Sequence, residues 1–268
     1  MIHIVTSQNR HLYQAPLRAM HEQGVESDGW VELVILDDGG ADDDGRALYL
    51  LGFDDAMRLE VGLRLHPTEQ RCRLADAFPH LIAPGESSKK GPEVWEATRL
   101  FTTPAWRALE QPSRDARLFE VWAAAIELAL VNGVERFVAM IDMQLYPGIM
   151  SSPIDTRLVG LPHPYDHGVV AGFEIALSPA LLDRACEAIG ADGPVGYHVD
   201  QLDLRAFGGL AAVQRQVARA QIPQFDPGSA RDEALAAETL YRLNDTTSQA
   251  NRVWANREAR PPAERLNA

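Results

Sequence analysis

Apolar residues fall into short runs along most of the chain, and the period of each run predicts an element. Ile2–Val5 reads as a first or edge strand, and Leu12–Glu22 as a helix with Pro16 early and Gly24 as its stop. "LYLLGF" (48–53) is a continuous apolar run, and "RLEVGLRLH" (58–66) alternates. The hairpin-like "DDAM" between them makes an antiparallel pair near the centre of a sheet. Phe119–Val131 is the clearest helix: Phe119, Trp122, Ala123, Ile126 and Leu130 share a face, and Gly133 stops it. "RFVAMID" (136–142) follows as a strand, and this helix-to-strand step predicts an α/β layer. "TRLVGL" (156–161) and "GVVAGFEIAL" (168–177) read as further strands joined by a proline-rich turn, "PHPYDH". Pro179–Ile189 reads as a helix ended by Gly190. Beyond about residue 205 the chain becomes rich in alanine, arginine and glutamine. It reads there as helices followed by a polar tail, which divides the chain into 1–205 and a helical extension, 206–268.

Composition narrows the function classes. The formal net charge of -13 argues against non-specific nucleic-acid binding, which depends on neutralising phosphates with Lys and Arg. Hydrophobic residues make up 46% of the chain, enough for a full core. The two cysteines, Cys72 and Cys186, lie in no CxxC pair and read as reduced, packed thiols. The start, "MIHIVTSQNRHLY", lacks the charged head and apolar run of a signal peptide, and no apolar run approaches the ~20 residues of a membrane span. A cytoplasmic protein is the expectation.

The common catalytic signatures are missing. There is no G-x-S-x-G, no P-loop and no G-x-G-x-x-G. "HPYDH" places His163, Asp166 and His167 close together, but its prolines preclude a helix that would converge them on a metal, so no metal is expected. What remains is a set of polar residues in the strand region: Arg64 in "GLRLHPT", and Glu96 and Arg99 in "VWEATRLF". By spacing alone they read either as strand-edge charge pairs worth about 0.2–1 kcal/mol each, or as an acid and a cation gathered at a site beside an aromatic wall.

Those same stretches carry a resemblance. "YLLGFDD…LEVGLRLHPT…CRLADAFPHLI…GPEVWEATRLF" resembles the acyl-homoserine-lactone synthases, the autoinducer synthases of quorum sensing. The family pattern of Y-L-L, G-x-x-R-L-x-P-T, D-x-F-P and W-E-x-[ST]-R-F is met in order. Tyr49-Leu50-Leu51 come first, then Gly62, Arg64, Leu65, Pro67 and Thr68, then Asp76, Phe78 and Pro79, then Trp95, Glu96, Thr98 and Arg99. The family's Phe after that Arg is Leu100 here, with Phe101 one place on. The resemblance covers roughly residues 1–190.

It implies a GNAT-like acyltransferase fold: a twisted mixed sheet flanked by helices, with a V-shaped split between two strands and additional C-terminal helices. It also implies the reaction. An acyl group passes from a thioester, carried on acyl carrier protein or coenzyme A, to the amine of S-adenosylmethionine. Lactone closure then expels methylthioadenosine. S-adenosylmethionine is thus a substrate, and no tightly bound cofactor is expected. The family roles fall on Glu96 as the catalytic base, acting through water. Trp30, Asp38, Asp43, Arg64, Thr98, Arg99 and Phe101 fall around S-adenosylmethionine, and Ala139 and Ile141 in the acyl pocket.

Three stretches depart from the family. "MHEQGVESDGW" (20–30) lacks the Arg and Phe of the family's closing segment. The acidic triplet E-x-D-x-x-D is only approximated by Asp38, Gly40 and Asp43. "MQLYPGIMSSPID" after the "FVAMI" strand has no basic residue with which to dock an acidic carrier. Either coenzyme A thioesters replace the carrier, or Lys89, Lys90, Arg215 and Arg219 supply a relocated basic patch.

Overall fold

The computed structural model describes residues 2–26, 45–54, 56–103, 106, 109–150, 152–165 and 168–199. Trp30, Asp38, Asp43, Arg215, Arg219, Asp166, His167 and the expected C-terminal helices lie outside the described residues.

A mixed sheet organises the chain. Its strands are β1 (Ile2–Val5), β2 (Leu48–Phe53), β3 (Leu59–Pro67), β4 (Val94–Thr102), β5 (Arg136–Asp142), β6 (Arg157–Leu158), β7 (His163–Tyr165), β8 (Gly168–Ala176) and β9 (Gly196–His198). The spatial order is β6-β8-β5-β4-β3-β2-β1-β9, with β7 pairing to β8. Pairings are antiparallel except β4–β5 and β1–β9, which are parallel.

Strand alternation sends successive side chains to opposite faces, and each face meets its own helices. Leu63 and Leu65 of β3, Phe137, Ala139 and Ile141 of β5, and Phe173 of β8 pack under α3 (Gln111–Val131) and α4 (Pro179–Ile189). On the other face α1 (Gln14–Glu26) lays Leu17 and Met20 on Val5, Tyr49, Leu51, Phe53 and Phe101. Farther along that face, α2 (Arg73–Ala77) and the 3-10 turn Pro79–Leu81 cover Val94, Val138, Met140 and Val170. Each fully buried Leu, Ile or Phe contributes about 1.5–3 kcal/mol.

Glycine sets one close approach near the site. A Cβ on Gly160 would fall 2.3 Å from the Leu81 carbonyl, so the turn that follows α2 can lie against the Val159–Gly160 backbone. There the Ala83 amide donates to the Val159 carbonyl at 2.8 Å.

The expected helix Pro179–Ile189 and strand 136–142 match observed bounds. Ser178 Oγ accepts from the Leu181 amide at 3.1 Å, Pro179 opens the first turn, and Gly190 at φ 66 ends the helix in the left-handed region. Other expectations need correction. β1 is not an edge strand, because β9 adds in parallel outside it. Glu127 of α3, 3% exposed, accepts from the Val195 and Gly196 amides at 3.0 and 3.2 Å and so fixes β9. The clearest helix begins at Gln111 rather than Phe119, since its first two turns are polar. The strand expected over 156–161 shrinks to Arg157–Leu158. The proline-rich "turn" contains β7, a sheet-edge strand, where proline's missing N–H costs no ladder bond.

Of the Lys89-Lys90 pair, Lys89 is enclosed rather than presented on the surface. Lys89 is 2% exposed, and its Nζ donates to Glu174 at 2.7 Å and to Glu86 at 3.0 Å. Lys90 is held by the Asp76 carboxylate and the Gln70 carbonyl. Arg157 bonds both Glu86 and Glu174, and Arg136 reaches Glu93 and Ser87. This network ties the loop before β4 to β5, β6 and β8. Hydrogen bonds from Arg157 and then Lys89 pull the Glu86 carboxyl down to about 2. Burial opposes charge on Glu174, but bonds from Lys89 and Arg157 outweigh it and hold that carboxyl below the usual range.

Depressed folded-state values give stability that is present above the unfolded carboxyl value and lost as pH falls. The urea midpoint should therefore hold steady from about pH 8 to 5 and fall below about pH 4.5. The double variant Glu86→Gln/Glu174→Gln should be less stable at neutral pH and show a blunted acid fall. An acid fall as steep as the wild type's would remove these two carboxylates from the acid response.

Candidate active site

The site begins where two parallel strands part. β4 and β5 pair through Val94↔Arg136, Trp95↔Phe137 and Glu96↔Val138, and the register stops there. β5 continues along β8 as far as Asp142↔Val170, while β4 continues along β3 to Thr102↔Val61. A V-shaped split opens between Ala97 and the following residues on one side and Ala139–Asp142 on the other.

β4 is also bent beside this split. Its register with β3 shifts between Gly62 and Arg64, so that Arg99 and Leu100 together oppose Leu63. Arg99 sits at φ 51, a left-handed conformation that costs a non-glycine residue energy and that commonly marks a β-bulge. The bulge changes which way the strand presents its side chains. Glu96 and Thr98 precede it on the α2 face. Leu100 packs under α3, and Phe101 returns to the α1 face beside Tyr49 and Met20.

On the face under α1 and α2, alternation and register bring four polar side chains together. His66 stands opposite Glu96, and Arg64 opposite Thr98. Arg64, His66 and Glu96 are 5%, 6% and 5% exposed. Among the described residues the Thr98 hydroxyl is buried with no hydrogen-bond partner. Tyr49, opposite Arg64 on β2, extends the patch, and the Arg10 guanidinium lies 5.5 Å from its ring centroid.

Glu96 is directed at α2. Its Oε2 accepts from the Arg73 amide at 2.9 Å, and its Oε1 from the Leu74 amide at 2.8 Å, with Cys72 Sγ at 3.8 Å. Burial pushes the Glu96 carboxyl up; the two amides and the nearby His66 and Arg73 charges work the other way without cancelling it. The same burial, with Glu96 beside it, pushes the Cys72 thiol up to about 12, so Cys72 is an unreactive packed thiol.

The expected acyl-pocket residues occupy the opposite face. Ala139 and Ile141 do share one face of β5, as alternation requires, and lie under α3 beside Phe137 and Phe173. The split thus joins a polar half on the α1/α2 face to an apolar half on the α3 face. At its open end Asp142 accepts from the Tyr165 hydroxyl at 2.5 Å and the Gln144 amide at 2.8 Å, which latches the β7–β8 hairpin to the end of β5. A cavity of about 500 Å³ lies on the α3 side near Ile4, Arg46 and His198, at the far strand ends and not at the split. Among the described residues no cluster of three or more His, Cys, Asp or Glu could hold a metal.

The architecture has known counterparts. The isovaleryl-homoserine lactone synthase of Bradyrhizobium diazoefficiens is 29% identical over 228 residues, covering 81% of this chain and all of the relative. The structure of BjaI, a CoA-dependent acyl-homoserine lactone synthase, superposes with a TM-score of 0.62 at 26% identity, over 80% of this chain and 97% of BjaI. The chain is similar to acyl-homoserine-lactone synthases along most of its length. The CoA-dependent synthase MesI, 22% identical over 73% of this chain and 98% of its own, supports the fold with a TM-score of 0.57. No family model matches.

The structure gathers Arg64, Glu96, Thr98 and Arg99 around one bend of one strand pair. Sequence reasoning missed His66. It falls on the unspecified position of the Gly62–Thr68 stretch, and the available signal was the strand period, which puts it on the same face as Arg64 two residues earlier.

Glu96→Gln tests the geometry of the carboxylate. A glutamine offers one acceptor where two amides now donate, so one of the Arg73 and Leu74 N–H groups loses its partner. A loss of about 1–3 kcal/mol should appear in the urea midpoint. An unchanged midpoint would show that these amides find equivalent partners.

Proposed function

We propose that the protein transfers an acyl group from a coenzyme A thioester to the amine of S-adenosylmethionine, and that the methionine carboxylate then closes the lactone and expels methylthioadenosine. The observation that carries this reading is the parting of β4 and β5 directly beside a buried polar patch. Acyl transfer to an amine needs a slot that lets a thioester carbonyl meet a nucleophile, with the alkyl chain and the nucleophile kept apart. The split supplies the slot and its two faces supply the separation.

On the polar face Arg64 and Arg99 provide cations for the methionine carboxylate. Thr98 offers its unpartnered hydroxyl, and Glu96 the negative charge that favours loss of the amine's proton. Trp30, Asp38, Asp43 and Phe101 complete the S-adenosylmethionine site in this reading. On the apolar face Ala139 and Ile141 line the acyl chain. The donor follows from charge. Residues 143–155 hold no basic side chain and Lys89 is spent inside an ion network, so little remains among the described residues there to hold an acidic carrier protein. BjaI, whose fold this chain shares, has been solved with SAM and isopentyl-CoA.

Purified protein incubated with S-adenosylmethionine and a panel of coenzyme A and carrier-protein thioesters should yield methylthioadenosine and an acyl lactone by mass spectrometry. Coenzyme A thioesters should be favoured in kcat/KM, and this preference should persist at high salt. Neither product from any donor overturns the reading; a preference for carrier thioesters overturns the donor assignment.

Ala139→Trp should move the chain-length preference toward shorter acyl groups, because it fills the apolar side of the split next to Phe173, its β8 partner. A chain-length profile like the wild type's would place the acyl pocket elsewhere.

A further inference from the structure

We propose that His80 and His163 form a surface site for a divalent transition-metal ion of the kind imidazole favours, zinc or copper, with water filling the remaining positions. The site lies outside the split and does not depend on the acyl-transfer reading.

The fold brings the two residues together from different elements. His163 is the first residue of β7 and pairs with Val170 of β8, which pairs in turn with Asp142, the last residue of β5. His80 is the middle residue of the 3-10 turn Pro79–Leu81. Cross-strand partners share a face, and Val170 packs with Leu81 on the α2 face, so the turn and the edge strand meet there. The two rings stand 4.7 Å apart, centroid to centroid, at 64°. Both are exposed, and neither has a hydrogen-bond or ion-pair partner among the described residues. His80 also has the Phe78 ring at 6.1 Å, a contact that leaves its nitrogens available to a ligand. Imidazole is the commonest protein ligand for metals of this class.

The separation suits one shared ion. A metal–imidazole bond of about 2.0–2.1 Å puts an ion about 3.2 Å from each ring centroid. Two such rings then stand about 4.5 Å apart at a right angle about the ion, as in a square-planar copper site, and about 5.2 Å apart at the tetrahedral angle of zinc. The observed 4.7 Å falls between these values.

The backbone holds the spacing without a metal. Pro79 opens the turn, Leu81 is fully buried, and the Leu81 and Ile82 amides donate to the Phe78 and Pro79 carbonyls at 3.0 and 3.1 Å. The Ala83 amide then pins the turn to Val159. On the other side Pro164 restricts the backbone beside His163, and Tyr165 is latched to Asp142. Ligands carried on rigid supports lose little freedom when they bind, which lowers the cost of holding an ion. Two imidazoles fall short of a structural zinc centre, which takes four protein ligands, so the ion is exchangeable. Bound, it ties the edge hairpin to the turn after α2, beside the open end of the split.

Metal-depleted full-length protein, titrated with zinc chloride by calorimetry, tests the site. Losing a group that only orients a metal ligand costs about 10–100-fold in affinity, so His80→Gln and His163→Gln should each weaken zinc at least that far. The double variant should bind within about threefold of the weaker single variant, because a pair that shares one ion is broken by losing either member. His11→Gln removes an exposed imidazole elsewhere and should change nothing. Zinc at about 100 times its Kd should raise the melting midpoint of the wild type and leave those of the His80 and His163 variants unmoved. With copper(II), the wild-type electron paramagnetic resonance spectrum should show splitting from two imidazole nitrogens, a readout that needs no variant to fold. Zinc bound equally by wild type and both single variants, losses that add independently in the double variant, or no zinc binding by the wild type overturns the site. A copper spectrum without splitting from two nitrogens does the same.

Discussion

The parting of two parallel strands is the constraint on which the rest of this structure depends. Backbone N–H and C=O groups inside a sheet are ordinarily paired, and leaving a row of them unmatched in a protein interior is costly. β4 and β5 accept that cost after only three residue pairs. Each remains straight enough to be a strand because its other neighbour holds it. β3 pairs with β4 on one side, and β8 pairs with β5 along its entire length on the other. Such a gap is stable only if the closed end of the V cannot slip.

The closed end is where the charged residues are spent. Arg136, at the first pair of the V, bonds Glu93 and Ser87. The Glu93 carbonyl accepts the Glu135 and Arg136 amides at 2.8 and 3.1 Å. Lys89 and Arg157 converge on Glu86 and Glu174 just outside it. Exposed ion pairs are worth little one at a time, but Lys89 is fully enclosed, and removing one partner of an enclosed charge is expensive. At the open end the Asp142–Tyr165 bond fixes the β7–β8 hairpin against the last residue of β5. The gap is held at both ends by polar bonds, while its walls are lined by the alternation of the strands themselves.

How much of this was legible in the sequence divides along the same physical line. Strands β2, β3 and β5 and helix α4 were readable because their patterning, caps and stops are local. Ser178, Pro179 and Gly190 announce a helix without reference to any neighbour. The site residues Glu96, Thr98, Arg99 and Arg64 were legible as types in an ordered pattern. Their arrangement was not, since it depends on a bulge that shifts register by one residue and on an unusual φ at Arg99. β9 is three residues long and exists because Glu127, nearly 70 positions earlier, binds its amides. Lys89 read as an exposed cation because nothing near it in sequence shows that Glu174, 85 residues on, will enclose it.

That last misreading bears on the proposed donor. Lys89 turns inward at the loop before β4 and residues 143–155 after β5 hold no basic side chain, while Lys90 beside it is paired with Asp76. Electrostatic complementarity governs partner choice and encounter rate more than raw affinity. Losing it need not weaken a small thioester, whose hold comes from entering the gap between strands. The cations that brace the closed end of the V are committed to structure, and under the proposed reading the thioester is held by the gap between strands rather than by a charged protein surface.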